Sequence, residues 1–326
     1  SYEGMHGDMK LIDMHCDTIW KLMDLDKNGD LMKNQCSISI PGMRRAETMA
    51  QFFACFVQVK NPAEGYEEGY RHVHEMIDFM EEQVRKFPKD IALAYSYTDV
   101  IKNDAKGKMS AILTVEEGGI LNGKLKRLEV LQQRGIRLVT PMWNYENCIG
   151  YPNSTEPSVM QKGLKPFGIE AVKLIGELGM ITDASHASDG TFFDILRYAK
   201  GPVAASHSNC RELKNHPRNL TDEMIRSLAQ IGGGAGLNFY GAFLGTENES
   251  LVDEMTAHIL HMIRIGGEEF PMIGTDFDGF GEIERLDIPK IENIERLWNA
   301  LKKKGISELQ LDKIWSGNAL RILKSV

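Results

Sequence analysis

The sequence lacks long apolar runs, basic clusters and Cys-x-x-Cys pairs. No apolar stretch reaches membrane-spanning length, and the polar residues 1–10 have no signal-peptide core. The five cysteines are odd in number and scattered, which is typical of reduced thiols rather than of a disulfide framework. The net charge of -8 argues against nucleic-acid binding. We therefore expect a cytoplasmic protein with neither a membrane nor a nucleic-acid partner.

The length and composition suit one large domain. The 326 residues are 42% hydrophobic and 26% charged, which are ordinary globular values. Barrels of alternating strands and helices often reach this length as one domain, and no repeat or linker divides the chain. We expect a single domain over residues 1–326. Residues 1–8 are expected to be flexible or to derive from cloning, and the sequence leaves open whether residues 1–4, ahead of Met5, are native.

Short apolar runs alternate with segments of helical periodicity. The runs lie at 11–14, 52–59, 111–115, 136–140, 180–182, 203–205, 235–239 and 271–273. Helical spacing marks the segments 72–86, 125–134, 169–178, 190–199, 222–230 and 251–265. This alternation predicts an α/β fold, a (β/α)8 TIM-type barrel with one parallel sheet.

Four further segments fit around this barrel. Residues 91–95 are either an extra strand or a loop. The long polar connections 144–166 and 278–292 follow strand ends, so they are predicted to lie over the barrel mouth. Residues 307–324 predict two short helices with a break at Ser316-Gly317-Asn318.

A histidine and a carboxylate end the first predicted strand. His15 and Asp17 are two residues apart, and side chains at that spacing in a strand point the same way. Imidazole nitrogen and carboxylate oxygen both suit zinc. The alternative is that Asp17 caps a helix beginning at Thr18 and that His15 is merely packed.

Similar groups follow other predicted strands. They are Glu116, Glu117, Asp183, His186, His207, Asp276 and Asp278. The C-terminal strand ends of such a barrel carry the active site, and several histidines and carboxylates there indicate a two-metal hydrolase. Single members have plainer alternatives, since Asp183 could cap a helix near Ser188 and Asp278-Gly279 could form an ordinary turn.

These groups fall into motifs that span nearly the whole chain. They are His15-x-Asp17, Val115-Glu116-Glu117-Gly118, Asp183-x-x-His186, Ser206-His207-Ser208, Arg218-Asn219 and Gly274-Thr275-Asp276-Phe277-Asp278-Gly279. Together, in this order, they resemble the membrane (renal) dipeptidase family of zinc peptidases, whose barrel is related to that of the amidohydrolases. The resemblance implies a homodimeric dipeptidase with two Zn²⁺ per subunit, acting on dipeptides that include those with a C-terminal D-residue.

The resemblance also implies a set of metal ligands. In chain order they are His15, Asp17, Glu116, His186 and His207. The first pair would hold one zinc, the two later histidines the other, and the glutamate would bridge both, with Glu117 as its rival by one position. Water between two zincs loses a proton near neutral pH, and the resulting hydroxide attacks the peptide carbonyl.

Two further residues receive roles in this mechanism. Asp276 is the candidate to carry the proton to the leaving amine, and a role as another metal ligand stays open. Arg218 lies where the family places the arginine that binds the substrate carboxylate, and a guanidinium suits that bidentate pairing. A solvent-facing arginine is the alternative.

The sequence departs from the family pattern after the fourth strand. Trp143 holds the place of a family histidine near the substrate, and an indole donates a hydrogen bond but carries no charge. Asn144 is expected to compensate as a substrate contact, and Phe243 replaces a family tyrosine. The histidines interpreted as structural or exposed are His72, His74, His258 and His261, while His6 is placed in a flexible tail.

Two other functions compete with the dipeptidase. One keeps the barrel and metals but hydrolyses a lactam, a cyclic amide or another small amide. Arg218→Ala separates these, because a substrate without a carboxylate would be spared. The other is a non-enzymatic protein that binds metal or ligand, which fits only if no peptide is hydrolysed.

Overall fold

The structure is a computed structural model that describes residues 10–59 and 62–326. The expectations for residues 1–8 and for His6 lie outside the described residues. The strands are β1 (Leu11–Cys16), β2 (Thr48–Phe56), β3 (Ile91–Leu93), β4 (Met109–Glu116), β5 (Ile136–Thr140), β6 (Ile181–Asp183), β7 (Val203–Ala204), β8 (Ala235–Leu237), β9 (Glu249–Ser250), β10 (Pro271–Ile273) and β11 (Arg285–Leu286).

Eight of these strands form the predicted parallel barrel. Their order is β7-β6-β5-β4-β2-β1-β10-β8, and every pairing is parallel. A parallel bridge between Ala205 and Ala235 joins β7 to β8 and closes the ring. In β1, the register against β2 shifts between Asp13 and Cys16, where β1 holds one extra residue. Such a bulge redirects side chains, and His15 lies within it.

The helices surround this barrel. They are α1 (Thr18–Asp24), α2 (Ile40–Arg45), α3 (Pro62–Lys86), α4 (Tyr97–Ala105), α5 (Lys126–Gln133), α6 (Pro157–Met160), α7 (Pro166–Glu177), α8 (Asp189–Tyr198), α9 (Asp222–Gln230), α10 (Gly241–Leu244), α11 (Val252–Gly266), α12 (Glu295–Lys303), α13 (Glu308–Asp312) and α14 (Asn318–Leu323). Five of those with a described N-cap begin at a serine or threonine whose hydroxyl accepts a backbone N–H, as in α9, where Thr221 accepts from Met224 N.

Departures from the predicted elements lie outside the barrel ring. Residues 91–93 are indeed an extra strand, β3, which pairs with the first part of β4 (Met109 to Ala111) beside β5. The small parallel sheet of β9 and β11 was not predicted, because two-residue strands give no periodicity. The predicted break at Ser316-Gly317-Asn318 is wrong: a π-helical turn (Lys313–Gly317) continues into α14 with Asn318 at right-handed helical angles.

The end of the barrel opposite the strand C-termini is apolar. We call its buried residues the lower cluster, and its members include Ile12, Phe52, Ile112, Ile322 and Leu323. The first three come from β1, β2 and β4, and the last two from α14, so the C-terminal helix covers this end. Burial of these side chains is the main force that holds the helix against the barrel.

Two observations bear on the cysteines and on membranes. All five cysteines are free thiols, as the scattered spacing predicts. Among the helices of residues 10–59 and 62–326, none has both the length and the apolar character that crossing a bilayer requires.

Candidate metal centre

Three imidazoles surround one carboxylate oxygen at the C-terminal strand ends. Glu116, the last residue of β4, places Oε2 3.1 Å from His186 Nε2, 3.2 Å from His207 Nε2 and 3.4 Å from His15 Nε2. The rings of His15 and His207 stack with centroids 3.6 Å apart. All four side chains are buried. The structure thus brings together four of the five residues predicted as metal ligands.

Two aspartates extend this group around His15. Asp17 Oδ2 lies 3.0 Å and Asp276 Oδ1 3.6 Å from His15 Nε2. Although Asp17 precedes α1, its side chain makes no capping bond to any described residue, so the capping alternative is wrong. Its Oδ1 is buried, and no described group donates to it. An ionisable oxygen left without a partner in a buried site is an open ligand position.

The outer nitrogens of two histidines have fixed partners. His186 Nδ1 lies 3.1 Å from Asn144 Oδ1, and His207 Nδ1 lies 2.6 Å from Ser206 Oγ. An amide oxygen only accepts, so His186 carries its proton on Nδ1. Ser206 Oγ donates to Asp183 Oδ2 at 2.6 Å, which leaves its lone pair for His207 Nδ1–H. Both Nε2 atoms therefore present lone pairs to the centre, as in metal-ligating histidines.

Asp183 is the anchor beneath this centre. It accepts hydrogen bonds from Thr140 Oγ1, from Ser185 N and from both N and Oγ of Ser206, at 2.6 to 3.0 Å. Ser188, not Asp183, caps α8. The capping alternative for Asp183 is thus wrong, and its carboxylate links β5, β6 and the segment after β7.

Backbone strain is concentrated at the same strand ends. His186, Asp276 and Glu117 have φ values of 73°, 61° and 142°. Positive φ is uncommon for residues other than glycine and is often found at functional sites. The backbone of Gly279 packs directly against two of the carboxylates. A Cβ atom at this position would lie 2.2 Å from Asp17 Oδ2 and 2.3 Å from Asp276 Oδ1.

The electrostatics of the cluster suit a cation. Burial and the negative charge of Glu116 raise the pKa of Asp17 to about 6. For His15, burial opposes the charged form, but Glu116 and Asp17 outweigh it and raise its pKa well above the usual value. Burial lowers the pKa of His186 and the pKa of His207 well below the ordinary value of a histidine. The neutral imidazoles of His186 and His207 beside crowded carboxylates are donors that a divalent metal ion stabilises, and such an ion would replace the proton that these carboxylates favour on His15, so the residues fit a metal.

Glu117 points away from this cluster. Its Oε1 accepts from Gly119 N at 2.7 Å and Asn147 Nδ2 at 2.6 Å, and its Oε2 accepts from Trp143 N at 3.2 Å. Burial raises its pKa to about 7. Its partners are all donors, so the group is a structural acceptor that fixes the segment after β5. Of the two adjacent glutamates, the structure places Glu116 in the cluster.

Arg218 lies buried at the wall of the same cavity. Its Nη1 donates to Ser208 Oγ and its Nη2 to His207 O, both at 2.7 Å. Its Nε is buried without an acceptor among the described residues. The solvent-facing alternative is therefore wrong. A guanidinium held on one side and incompletely paired is suited to an anionic ligand.

The cavity above the cluster has a volume of about 560 Å³. Its lining includes Asn144 and Asn153 from the first long connection, and Gly279 and Phe280 from the second, so both connections reach the mouth as predicted. Asn144 also lines the cavity, but its amide oxygen is engaged with His186, so it acts as a support for that histidine. Phe243, the other departure from the family pattern, lies against Arg218 with the guanidinium 5.5 Å from the ring centre.

Two buried aspartates near the site have roles that the sequence reasoning missed. Asp13 accepts from Thr275 N and Oγ1 at 2.8 Å and from Gln51 Nε2 at 2.9 Å, which ties β1 to β2 and to the segment that follows β10. Asp278 accepts from Thr18 Oγ1 at 2.7 Å and pairs with Lys21, so it joins the second long connection to α1. The signal for Asp13 was an ionisable residue inside an apolar strand, which requires buried partners.

The remaining predicted structural histidines lie outside the cluster. His258 Nε2 is 2.7 Å from Leu244 O, and His261 Nε2 is 2.7 Å from Asp222 Oδ1. His74 Nδ1 accepts from Arg134, and His72 pairs with Glu75 on the helix surface. The structural or exposed interpretation of all four is confirmed.

Comparison with known proteins gives a consistent picture. A family model described as Membrane dipeptidase (Peptidase family M19) matches residues 2–326. An uncharacterized dipeptidase of Schizosaccharomyces pombe is 30% identical over 296 residues, which are 86% of this chain and 70% of that protein. An uncharacterized protein in the pqqA 5′ region of Klebsiella pneumoniae is 31% identical over 246 residues, 72% of this chain and 89% of that one. A metallo peptidase from Rhodobacter sphaeroides, liganded with a phosphinate mimic of the dipeptide L-Ala-D-Ala, has the same fold, with a TM-score of 0.87 at 22% identity over 97% of this chain and 99% of that chain.

Proposed function

The chain belongs to the membrane dipeptidase family, peptidase family M19, and we propose that it hydrolyses dipeptides with two zinc ions at the strand ends. Membership makes it a metallo-dipeptidase, a hydrolase of peptide bonds. The observation that carries the metal assignment is the convergence of three imidazole Nε2 atoms within 3.4 Å of Glu116 Oε2. We assign His15 and Asp17 to one zinc, His186 and His207 to the other, and Glu116 to both.

The metals would supply a nucleophile and a Lewis acid, since bound Zn²⁺ lowers the pKa of water toward about 7 and polarises a carbonyl. The protein's own groups then move the proton. Asp276 is 13% exposed toward the cavity, and Asn238 Nδ2 holds its Oδ2 at 3.2 Å. Burial raises its pKa well above the usual value. A carboxyl group with a raised pKa can accept a proton from water and pass it to the leaving amine.

Arg218 defines which peptides fit. Arg218 lines the cavity with an incompletely paired guanidinium, which favours the free carboxylate at the C-terminus of the substrate. When Arg218 binds this carboxylate, it fixes the distance from the scissile bond to the C-terminus of the substrate. Such a fixed distance would explain a preference for dipeptides over proteins. Because Arg218 recognises the carboxylate rather than the C-terminal side chain, we also propose that a C-terminal D-residue is accepted.

The experiment is metal analysis of the purified protein together with a dipeptide panel of L,L and L,D members. We expect two zinc ions per chain, hydrolysis of both classes, and reversible inactivation by a chelator with recovery on adding Zn²⁺. Protein that holds no metal and hydrolyses no dipeptide would refute the proposal. Turnover of a lactam or cyclic amide that survives Arg218→Ala would instead favour the amidohydrolase alternative.

A substitution at Asp276 separates its two possible roles. Asp276→Asn should lower turnover while the zinc content stays at the wild-type value, because an amide cannot carry the proton. Loss of one zinc on the same substitution would make Asp276 a ligand.

The single domain over residues 1–326, the cytoplasmic location and the homodimer also stand as proposals. The five free thiols support the location.

A further inference from the structure

Three aromatic rings form one continuous side of the cavity. We call Trp20, Phe56 and Trp143 the tryptophan wall. Phe56 packs edge-to-face on both, with ring centres 6.1 Å from Trp20 and 4.8 Å from Trp143. Phe56 is largely buried, whereas the two tryptophans are half-buried and line the cavity. The wall therefore presents two indole surfaces to whatever enters.

A second aromatic group lies beside Arg218. Tyr240 packs on Phe243 and Phe280 with ring centres 4.9 Å and 5.2 Å apart, and we call these three the arginine wall. Phe243 also lies under the Arg218 guanidinium. Among the described residues, no ring contact joins this group to the tryptophan wall.

The sheet order places the middle of the tryptophan wall across the ring from Arg218. The strand β2, which carries Phe56, is four strands away from β7 in either direction, whereas the two walls adjoin where β1 pairs with β10. The tryptophan wall comes from the ends of β1, β2 and β5, and the arginine wall from the ends of β8 and β10. Arg218 follows β7, the neighbour of β8 across the closing bridge. Glu116 ends β4, between β2 and β5, and faces the centre of the ring. A ligand with its carboxylate at Arg218 and its reacting bond at the centre therefore extends toward the tryptophan wall.

We propose that the tryptophan wall binds the side chain of the N-terminal residue of the dipeptide and selects a large apolar or aromatic one. This inference rests on the proposed function, because Arg218 sets the direction of the substrate. Indole surfaces gain most from burying apolar area and from edge-to-face ring contacts. Gln58 and charged residues such as Asp24 and Glu68 line the outer cleft beside Trp20 and Phe56, whereas the ring surfaces of the wall itself are apolar.

Trp143 is held in place before a ligand binds. Its backbone N–H donates to the buried carboxylate of Glu117, which also accepts from Asn147. Its ring centre lies 6.5 Å from that of His186, next to the proposed zinc ligands. A preorganised wall loses little side-chain entropy on binding, so its contacts contribute to discrimination.

The experiment compares kcat/KM for Phe-Ala, Ala-Ala and Ala-Phe in the zinc-loaded protein. We expect the wild type to prefer Phe-Ala over Ala-Ala by about tenfold, which is within the range for one apolar pocket contact. Trp143→Ala should bring this ratio close to one and leave the Ala-Phe to Ala-Ala ratio unchanged. The matched control, Phe243→Ala, removes an aromatic side chain from the arginine wall and should move only the Ala-Phe ratio.

The outcomes separate the inference from the function beneath it. A wild type that hydrolyses Ala-Ala but does not prefer Phe-Ala overturns the inference and leaves the dipeptidase intact. A change confined to the Ala-Phe ratio in Trp143→Ala also overturns it, because the substrate then lies in the reverse direction. Hydrolysis of none of the three peptides contradicts the proposed function itself. If Trp143→Ala does not fold, Trp20→Ala tests the same ratio, and Trp143→Phe should keep most of the preference.

Discussion

The two ends of the barrel differ in what their buried side chains contribute to stability. At the mouth, buried carboxylates crowd around three imidazoles, Asp17 keeps an oxygen that no described group satisfies, and His186 and Asp276 hold positive φ. At the other end, the lower cluster consists of buried apolar side chains from the strands and α14. Charge burial and strain are unfavourable, whereas apolar burial is the main source of stability. The comparison teaches that the mouth holds its geometry because the rest of the barrel stabilises it.

The largest expected effect is the loss of a proposed ligand at the mouth. His207→Ala should lower kcat/KM by about 10³-fold or more, equivalent to roughly 4 kcal/mol of activation free energy, and reduce bound zinc. Its matched control is His72→Ala on the helix surface, which should change neither quantity. Steady-state kinetics with metal analysis provides the measurement. Full activity in His207→Ala would remove that residue from the proposed ligand set.

The next largest effect is expected in the lower cluster, where a substitution should reduce stability but not activity. Leu323→Ala opens a cavity in the lower cluster and should lower the free energy of unfolding by about 2 to 4 kcal/mol. Activity per folded molecule should stay near that of the wild type, because Leu323 lies far from the strand C-termini. Chemical denaturation with active-site titration measures both. A large drop in specific activity without a change in stability would break the comparison between the ends.

A smaller effect is expected from the support of His207. Ser206→Ala removes the hydroxyl between Asp183 and His207 Nδ1. Loss of such a support typically lowers metal affinity or activity by about 10- to 100-fold. Thr140→Val is the control, since Thr140 also donates to Asp183 but is not hydrogen-bonded to His207. Equal losses of zinc affinity in both variants would show that the contact between Ser206 and His207 has no special role.

The smallest effect sharpens the comparison within the mouth. Glu117→Gln leaves one of three donors facing an NH₂ group, which should cost about 1 kcal/mol of folding free energy. Zinc content should be retained, since Glu117 points away from the cluster. Glu116→Gln is the paired variant, and its zinc content should fall. Thermal unfolding and metal analysis of the pair give the answer, and loss of zinc in Glu117→Gln alone would reverse the two assignments.

Sequence periodicity predicted the barrel because each strand and helix carries its own local signal. Residues 222–230 coincide with α9, and the apolar runs fall on the eight barrel strands. Elements without a local signal were missed. The sheet of β9 and β11 exists because two distant loops meet, and the π-helical turn replaces the break that Gly317 suggested.

The candidate site was also predicted only in part from the sequence. The strand-end motifs predicted which side chains converge, since the C-terminal ends of parallel strands meet at one face. They favoured Glu116 but left Glu117 as its rival, because the turn after β4, with Glu117 at φ 142°, decides which carboxylate faces inward. Nor could they show that Asn144 supports His186, because that contact joins residues 42 positions apart.

The sequence by itself determined the fold class, the family and the residue types gathered at the strand ends, because periodicity and motif order are properties of the chain. Only the tertiary structure decided which glutamate joins the cluster, which partners hold the histidine tautomers and which aromatic rings pack together at the mouth. These features depend on contacts between residues far apart in the chain, and such contacts form only when the strands assemble into the barrel.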